Sequence, residues 1–219
     1  MKTAFSDIVD LHTHRRAPGA VLSVTPRQEI PAGQPLSVGF HPWEAPPTDA
    51  EWRRLEELAR APETLMIGEA GVDRLRGFGA VEEQAALLLR HAALAEETAR
   101  PLVVHCVRAA DVLLRLRREA RPRQPWIVHG FRGGEAQARQ LLAAGLHLSF
   151  GEHFDAAALR AALTEAPLRC HAETDESPLA IADIIARQAA ALRADGADGP
   201  DAAGLTELYR RSARALKIT

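Results

Sequence analysis

Cysteine and lysine are almost absent from this chain of 219 residues: Cys106 and Cys170 are the only cysteines, and Lys2 and Lys217 the only lysines. Each cysteine lies in an apolar run that reads as a buried strand end, so two reduced core thiols are expected rather than a disulfide framework. Arginine therefore carries the positive charge, and acids balance it to a formal net charge of -2. A constitutive nucleic-acid coat protein would be basic overall, so that class is excluded, although an enzyme that grips a polyanion locally is not. Long hydrophobic runs are missing as well. The longest, such as Ala85 to Leu89 and Ala189 to Leu192, fall far short of the roughly 18 residues of a membrane span. Asp7 stands where a signal peptide would need an apolar stretch of roughly 7 to 15 residues. No membrane partner and a cytoplasmic location are the expectation.

What is present is 47% hydrophobic and 26% charged residues, the profile of a globular protein. A chain of this length buries roughly 70% of the surface its unfolded form exposes, so a metal would be needed for chemistry rather than to hold the fold together.

Short apolar, β-branched runs alternate with longer helical patterns, the signature of parallel strands joined by crossover helices. Eight strands are expected near Ser6 to Leu11, Ala20 to Val24, Leu36 to Phe40, Thr64 to Gly68, Pro101 to His105, Pro125 to His129, Gly145 to Ser149 and Leu168 to Glu173. Helices are expected near Asp49 to Ala61, Ala80 to Ala99, Ala109 to Glu119, Gly134 to Ala144, Ala156 to Leu163, Ala180 to Arg193 and Gly204 to Leu216. Eight strands predict an α/β fold, a TIM-type (β/α)8 barrel over residues 1–219. It should be trimmed or irregular in its first two βα units, where only short polar stretches separate the strands although a parallel crossover needs a dozen or more residues. Arg193 to Gly204 has the Asp, Gly and Pro content of a flexible loop.

His12, His14, His41, His105 and His129 all fall at or just after the carboxyl end of an expected strand, where barrel enzymes build active sites. His12 and His14, two residues apart on an extended segment, point to one side and can chelate one ion. Glu69 and Asp175 end runs that otherwise read as buried, and a buried carboxylate is normally paired or bound to metal. His12, His14, His105 and His129 with Glu69 and Asp175 give four imidazoles and two carboxylates, which suit two ions sharing one carboxylate. Asp10 and Asp73 lie beside these residues as candidate partners that orient the imidazoles. His91, His147, His153 and His171 read as surface or structural residues. Glu152 is either a loop cap or a further group reaching the site, and Phe131 either packs beneath its loop or stacks on a base.

Asp10-Leu11-His12-Thr13-His14, Val38-Gly39-Phe40-His41-Pro42, Ile67 to Asp73, Pro101 to Cys106, His129 to Gly133 and Glu173-Thr174-Asp175 resemble the ordered motifs of the TatD family of metal-dependent hydrolases, within the amidohydrolase-like superfamily. The resemblance implies a (β/α) barrel with two divalent metal ions (Zn, Mn or Mg) held by His12, His14, Glu69, His105, His129 and Asp175. It also implies hydrolysis of phosphodiesters, as in a DNase of the 3′–5′ exonuclease type. The chain departs from the pattern as a shortened variant. Arg15 to Gly19 and Thr25 to Pro35 stand where a helix is usual, Val107 where an arginine is common, and Arg132 where a serine is usual, and Asp175 is followed by Glu176-Ser177-Pro178.

In the expected mechanism the ions share Glu69 and lower the pKa of a bound water to about 7, and Asp175 orients or deprotonates that water. His41 is either a phosphate contact or a cap on its loop. Arg74, Arg108 and Arg132 follow strand-end motifs and are candidate phosphate contacts, since guanidinium matches phosphate bidentately. The expected partners are DNA ends or short single-stranded nucleic acid. Two other readings remain open: a metal-dependent hydrolase of a small ester, amide or phosphoester, and a non-catalytic metal-binding protein.

Overall fold

The computed structural model describes residues 7–194 and 198–218. In chain order its elements are β1 (Asp10–Thr13), β2 (Ala20–Val24), β3 (Leu36–Val38), α1 (Asp49–Ala59), β4 (Thr64–Asp73), α2 (Val81–Thr98), β5 (Leu102–Val107) and α3 (Ala110–Ala120). They continue with β6 (Trp126–Val128), α4 (Glu135–Ala143), β7 (His147–Phe150), α5 (Ala156–Glu165), β8 (Cys170–Ala172), α6 (Ile181–Leu192) and α7 (Ala202–Ala215). The strands follow one another from β1 to β8 as a closed barrel, the α/β architecture the alternating pattern predicts. No helix separates β1, β2 and β3 among the described residues, so the first two βα units are trimmed as expected. No described helix is long and apolar enough to cross a membrane.

Most boundaries shift by a residue or two, the third strand for instance ending at Val38 and the fifth running on to Val107, and four differences bear on the architecture. Of the first expected strand, Ser6 lies outside the described residues and β1 begins only at Asp10, which puts His12 inside the strand. The fourth strand runs on from Gly68 to Asp73. A Cβ at Gly68 would stand 2.4 Å from the Val103 carbonyl oxygen and one at Gly71 1.9 Å from that of His105, so these glycines let β5 lie against the strand where a side chain would stop it. Pro167 opens a single 3-10 turn, Pro167–Arg169, and β8 starts after it at Cys170. In the expected loop at Arg193 to Gly204, α7 already begins at Ala202, because the Asp201 side chain caps it by accepting from Gly204 N at 2.8 Å; Asp195, Gly196 and Ala197 lie outside the described residues.

The chain forms two compact units, one from Leu22 to Val128 and one from the residues up to Val21 with those from His129 onward. In the first, α1 is fixed by a capping box between Thr48 and Glu51 and buries Trp52, Leu55 and Ala59. Helix α2 buries Leu88, His91, Ala92 and Ala95. In the second, Tyr209 Oη of α7 donates to Gln188 Oε1 of α6 at 2.7 Å, and Gln188 Nε2 donates to the Phe150 carbonyl of β7 at 2.9 Å. This buried chain satisfies polar groups that would each cost free energy unpaired.

Candidate metal-binding sites

In the Leu22–Val128 unit, β4 and β5 end side by side, and Gly71 is the register partner of His105. The buried carboxylate of Glu69 thereby meets two imidazoles: Oε1 lies 2.7 Å from His105 Nδ1 and 3.0 Å from His41 Nε2. His41 Nε2 and His105 Nδ1 are 3.2 Å apart. The proton of His41 can be assigned from its outer contact. Trp43 N donates to His41 Nδ1 at 3.1 Å, so a neutral His41 carries its hydrogen on Nε2 and points a donor inward. His105 stands between two carboxylates, with Nε2 3.2 Å from Asp73 Oδ2 and Nδ1 2.7 Å from Glu69 Oε1; the tautomer with its hydrogen on Nε2 would turn the Nδ1 lone pair toward Glu69. Lone pairs of an imidazole and a carboxylate 2.7 Å apart suit a shared cation, and a carboxylate behind the imidazole is the usual support of a metal-bound histidine. His41, Glu69 and His105 form a group able to hold an ion. By its tautomer His41 fits better as a donor to a ligand than as a metal ligand.

Asp73 is held on all sides: its Oδ2 accepts from Trp43 Nε1 at 2.6 Å, and its Oδ1 accepts from Leu75 N at 2.7 Å and Arg76 N at 3.0 Å. Burial pushes its pKa up, but the hydrogen bonds from Trp43, Leu75, Arg76 and His105 outweigh it and hold the carboxyl below its ordinary value. Asp73 therefore presents a negative charge to His105, as the sequence suggests for an orienting partner.

In the other unit, β1 places His12 against two neighbours. The His12 ring is buried, with its centroid 5.0 Å from that of His14 and 4.3 Å from that of His129. Asp175 Oδ1 lies 3.8 Å from His12 Nε2 and 3.5 Å from His14 Nε2. His12, His129 and Asp175 form a second group able to hold an ion. The backbone fixes Asp175 in a left-handed conformation, φ 52°, by reciprocal bonds to β1: its N–H donates to the His12 carbonyl at 2.9 Å and its carbonyl accepts from His14 N at 3.2 Å. Strain of that kind persists where surrounding bonds over-determine it. Asp10 anchors the same corner, accepting from Thr174 N at 2.9 Å and Thr174 Oγ1 at 2.7 Å. Burial pushes the Asp10 carboxyl up to about 7; Thr174's hydrogen bonds work against this and nearby Glu173 adds to it.

Glu173, which the sequence offers only as a motif neighbour of Asp175, is fully buried, accepts from Gly130 N and lies 3.7 Å from His129 Nδ1. Burial would raise its pKa, but the hydrogen bond and charge of His129, with that of His12, outweigh it and hold the carboxyl below its ordinary range. A carboxylate closing a buried run was the available signal, the same one that marks Glu69. Trp43 was passed over, and an aromatic directly after His41-Pro42 was its only trace.

The remaining residues fall as follows. Arg74 is engaged bidentately by Asp111, with both N–O distances 2.8 Å, and also donates to the Arg108 carbonyl. Arg108 and Arg132 are exposed. Phe131 is buried edge-on to Phe150 at 5.7 Å, the packing alternative. Glu152 accepts from Ser177 Oγ at 2.5 Å and from Arg187 Nη1 at 3.3 Å, tying its loop. His91 is structural: it accepts from Phe40 N at 3.1 Å through Nε2. His147 and His171 stack with centroids 5.4 Å apart. Cys106 and Cys170 are free thiols, half-buried and buried, and burial pushes their pKa values up to about 11 and about 12.

Strand-end histidines and carboxylates on a parallel α/β barrel define a class of barrel with candidate metal sites. Within that class, the family described as TatD related DNase matches residues 24–180, and the chain belongs to this family. Curated relatives named 3′-5′ ssDNA/RNA exonuclease TatD match it too. That of Cronobacter turicensis is 34% identical over 125 residues, 53% of this chain and 45% of the relative. That of Klebsiella pneumoniae is 34% identical over 116 residues, 51% of this chain and 43% of the relative. The matches thus span less than half the length of these relatives. Among solved structures, YjjV, a TatD homologue from Escherichia coli K12, superposes with a TM-score of 0.72 at 21% identity, covering 97% of this chain and 98% of the other. That likeness supports the barrel fold.

Proposed function

We propose that this chain is a divalent-metal-dependent hydrolase of phosphodiester bonds that removes nucleotides from DNA ends as a 3′–5′ exonuclease. The observation that carries the reading is the meeting of the Glu69 carboxylate with Nδ1 of His105 at 2.7 Å, with Asp73 Oδ2 behind the imidazole at 3.2 Å from Nε2. Family membership and the names of the curated relatives point the same way. Glu69 and His105 would hold one cation, and His12, His14, His129 and Asp175 a second. The all-imidazole and carboxylate donor set suits Zn or Mn, and accepts Mg with more water.

A divalent cation bound there makes water a nucleophile at neutral pH and draws charge from a phosphoryl oxygen. The chain's own groups do the rest. Asp175, fixed by its two backbone bonds to β1, orients the attacking water and accepts its proton. His41 directs its Nε2 hydrogen to a phosphate oxygen. The exposed Arg108 and Arg132 would be further phosphate contacts, whereas Arg74 would have to leave Asp111 first. The same proposal treats residues 1–219 as one hydrolase domain, supported by a family match that crosses both compact units, and places it in the cytoplasm, supported by the free thiols.

The test is shortening of an end-labelled single-stranded DNA oligomer by metal-loaded protein, beside Asp175→Asn and Glu69→Gln. Stepwise shortening slowed by a factor on the order of 10² to 10⁴ in Asp175→Asn supports the assignment. Intact oligomer, with metal bound stoichiometrically, overturns the nuclease reading, and turnover of a nitrophenyl ester would then favour a smaller substrate.

A further inference from the structure

Four large apolar side chains are exposed among the described residues, and three of them, Trp43 at 44%, Leu75 at 61% and Phe78 at 52%, come from the two loops that follow β3 and β4. These loops are pinned to each other. Phe78 N donates to the Pro42 carbonyl at 2.7 Å and Trp43 Nε1 to Asp73 Oδ2 at 2.6 Å, while within the second loop Gly77 N closes a turn onto the Asp73 carbonyl at 3.0 Å. A Cβ at Gly77 would stand 2.4 Å from that carbonyl, so the tight turn presenting Phe78 depends on glycine. The Arg76 guanidinium stands 5.1 Å from the Trp43 ring centroid. The surface is therefore a rigid aromatic step with a cation attached, and a concentrated exposed apolar area of this kind marks a binding surface.

Its position selects the occupant. The Trp43 ring centroid is 4.6 Å from that of His41 and 5.8 Å from that of His105, so the step continues directly into the group built on Glu69. We propose that Trp43, Phe78 and Arg76 form a stacking platform for the bases of a single-stranded nucleic-acid end. This assignment rests on the nuclease reading above and adds how the substrate is chosen. A phosphate chain reaching His41 brings its own bases alongside the indole and phenyl faces, which stack on any base regardless of sequence. Arg76 matches the anionic backbone. Bases inside a duplex already stack on one another, so the platform selects unpaired ends.

Binding of two oligothymidylates to the metal-loaded full chain, followed by fluorescence anisotropy, tests this. Both carry phosphorothioate links to resist cleavage, and one has abasic sites at its last positions. The abasic end is expected to raise Kd on the order of 10-fold or more. Trp43→Ala and Phe78→Ala are each expected to remove most of that difference, while Trp43→Phe, which keeps a ring but loses the bond to Asp73, preserves it. Equal affinity for the two oligomers, or variants that keep the full ratio, overturns the platform, as does no binding of either oligomer. Hydrolysis of bis(p-nitrophenyl) phosphate by the unaltered protein reads the phosphodiesterase assignment separately. Turnover without base-dependent binding leaves that assignment standing and the platform refuted; base-dependent binding without turnover does the reverse.

Discussion

A methyl group on Gly71 would sit 1.9 Å from the His105 carbonyl oxygen and 2.8 Å from its amide nitrogen. Relief requires β4 and β5 to separate, and that separation also parts Glu69 from His105. Gly71→Ala is expected to lose about 3 kcal/mol or more, read as a fall in the urea midpoint, and to weaken metal binding beyond the change in stability. Asp10→Asn makes the complementary case with no steric change. The carboxylate now accepts both the amide and the hydroxyl of Thr174, whereas an amide keeps one acceptor oxygen, so the residue before Asp175 loses half of its anchor. Metal affinity measured by calorimetry should fall 10- to 100-fold, the usual effect of removing a group that supports a ligand, while the circular dichroism spectrum stays unchanged. An affinity equal to that of the unaltered protein would remove Asp10 from the site.

At the scale of elements, His91 ties α2 to Phe40, two residues past the end of β3 and one before His41. Its Nε2 accepts from Phe40 N, its Nδ1 lies 2.8 Å from the Leu87 carbonyl, and its ring meets Trp52 edge-on at 5.1 Å. Burial lowers its pKa from 6.5 to about 4; the Leu87 hydrogen bond opposes that shift and the charge of Arg90 adds to it. Between those values the unfolded chain binds a proton that the folded chain does not, so stability rises with pH across that window. Acidification from 6.5 to about 4 should remove about 3 kcal/mol through this residue. His91→Gln, which retains an acceptor for Phe40 N, should flatten the acid limb of a plot of urea midpoint against pH by up to one proton. A limb of unchanged slope would show that His91 does not titrate with unfolding. The sequence marks His91 only as lying outside the motifs, because helical position alone does not say which face is buried. Strand order was legible, since alternation of short apolar runs with long amphipathic ones is a local pattern and the trimmed β1 to β3 connections are visible as missing length. The extension of β4 through Glu69 to Asp73 was not, because it depends on glycines making room for a strand distant in sequence. The closeness of the His12 and His14 rings follows from their local spacing and could be read, whereas the tautomer of His41, set by the amide of Trp43, and the engagement of Arg74 by Asp111 could not.

Over the whole chain, the near absence of lysine and the pairing of arginine set how nucleic acid can be held. Arg27, Arg60, Arg74, Arg115, Arg123, Arg139, Arg187, Arg210 and Arg214 each contact a carboxylate, and the net charge is -2. Most of these pairs are exposed and each adds little to stability, but every one neutralises a cation that a polyanion would otherwise use. Affinity for a single-stranded oligomer should therefore come from stacking and the metal groups, with about three phosphates neutralised, by groups such as Arg76, Arg108 and Arg132. Each neutralised phosphate contributes about -0.7 to the slope of log K against log salt for single strands, so a slope near -2 is expected, and a duplex of equal length should bind more weakly. The measurement is anisotropy of a labelled, cleavage-resistant oligomer across a series of salt concentrations. A slope steeper than about -5 would mean that the arginine pairs open to form a backbone track, and would move the source of affinity from the aromatic step at Trp43 and Phe78 to the charged surface.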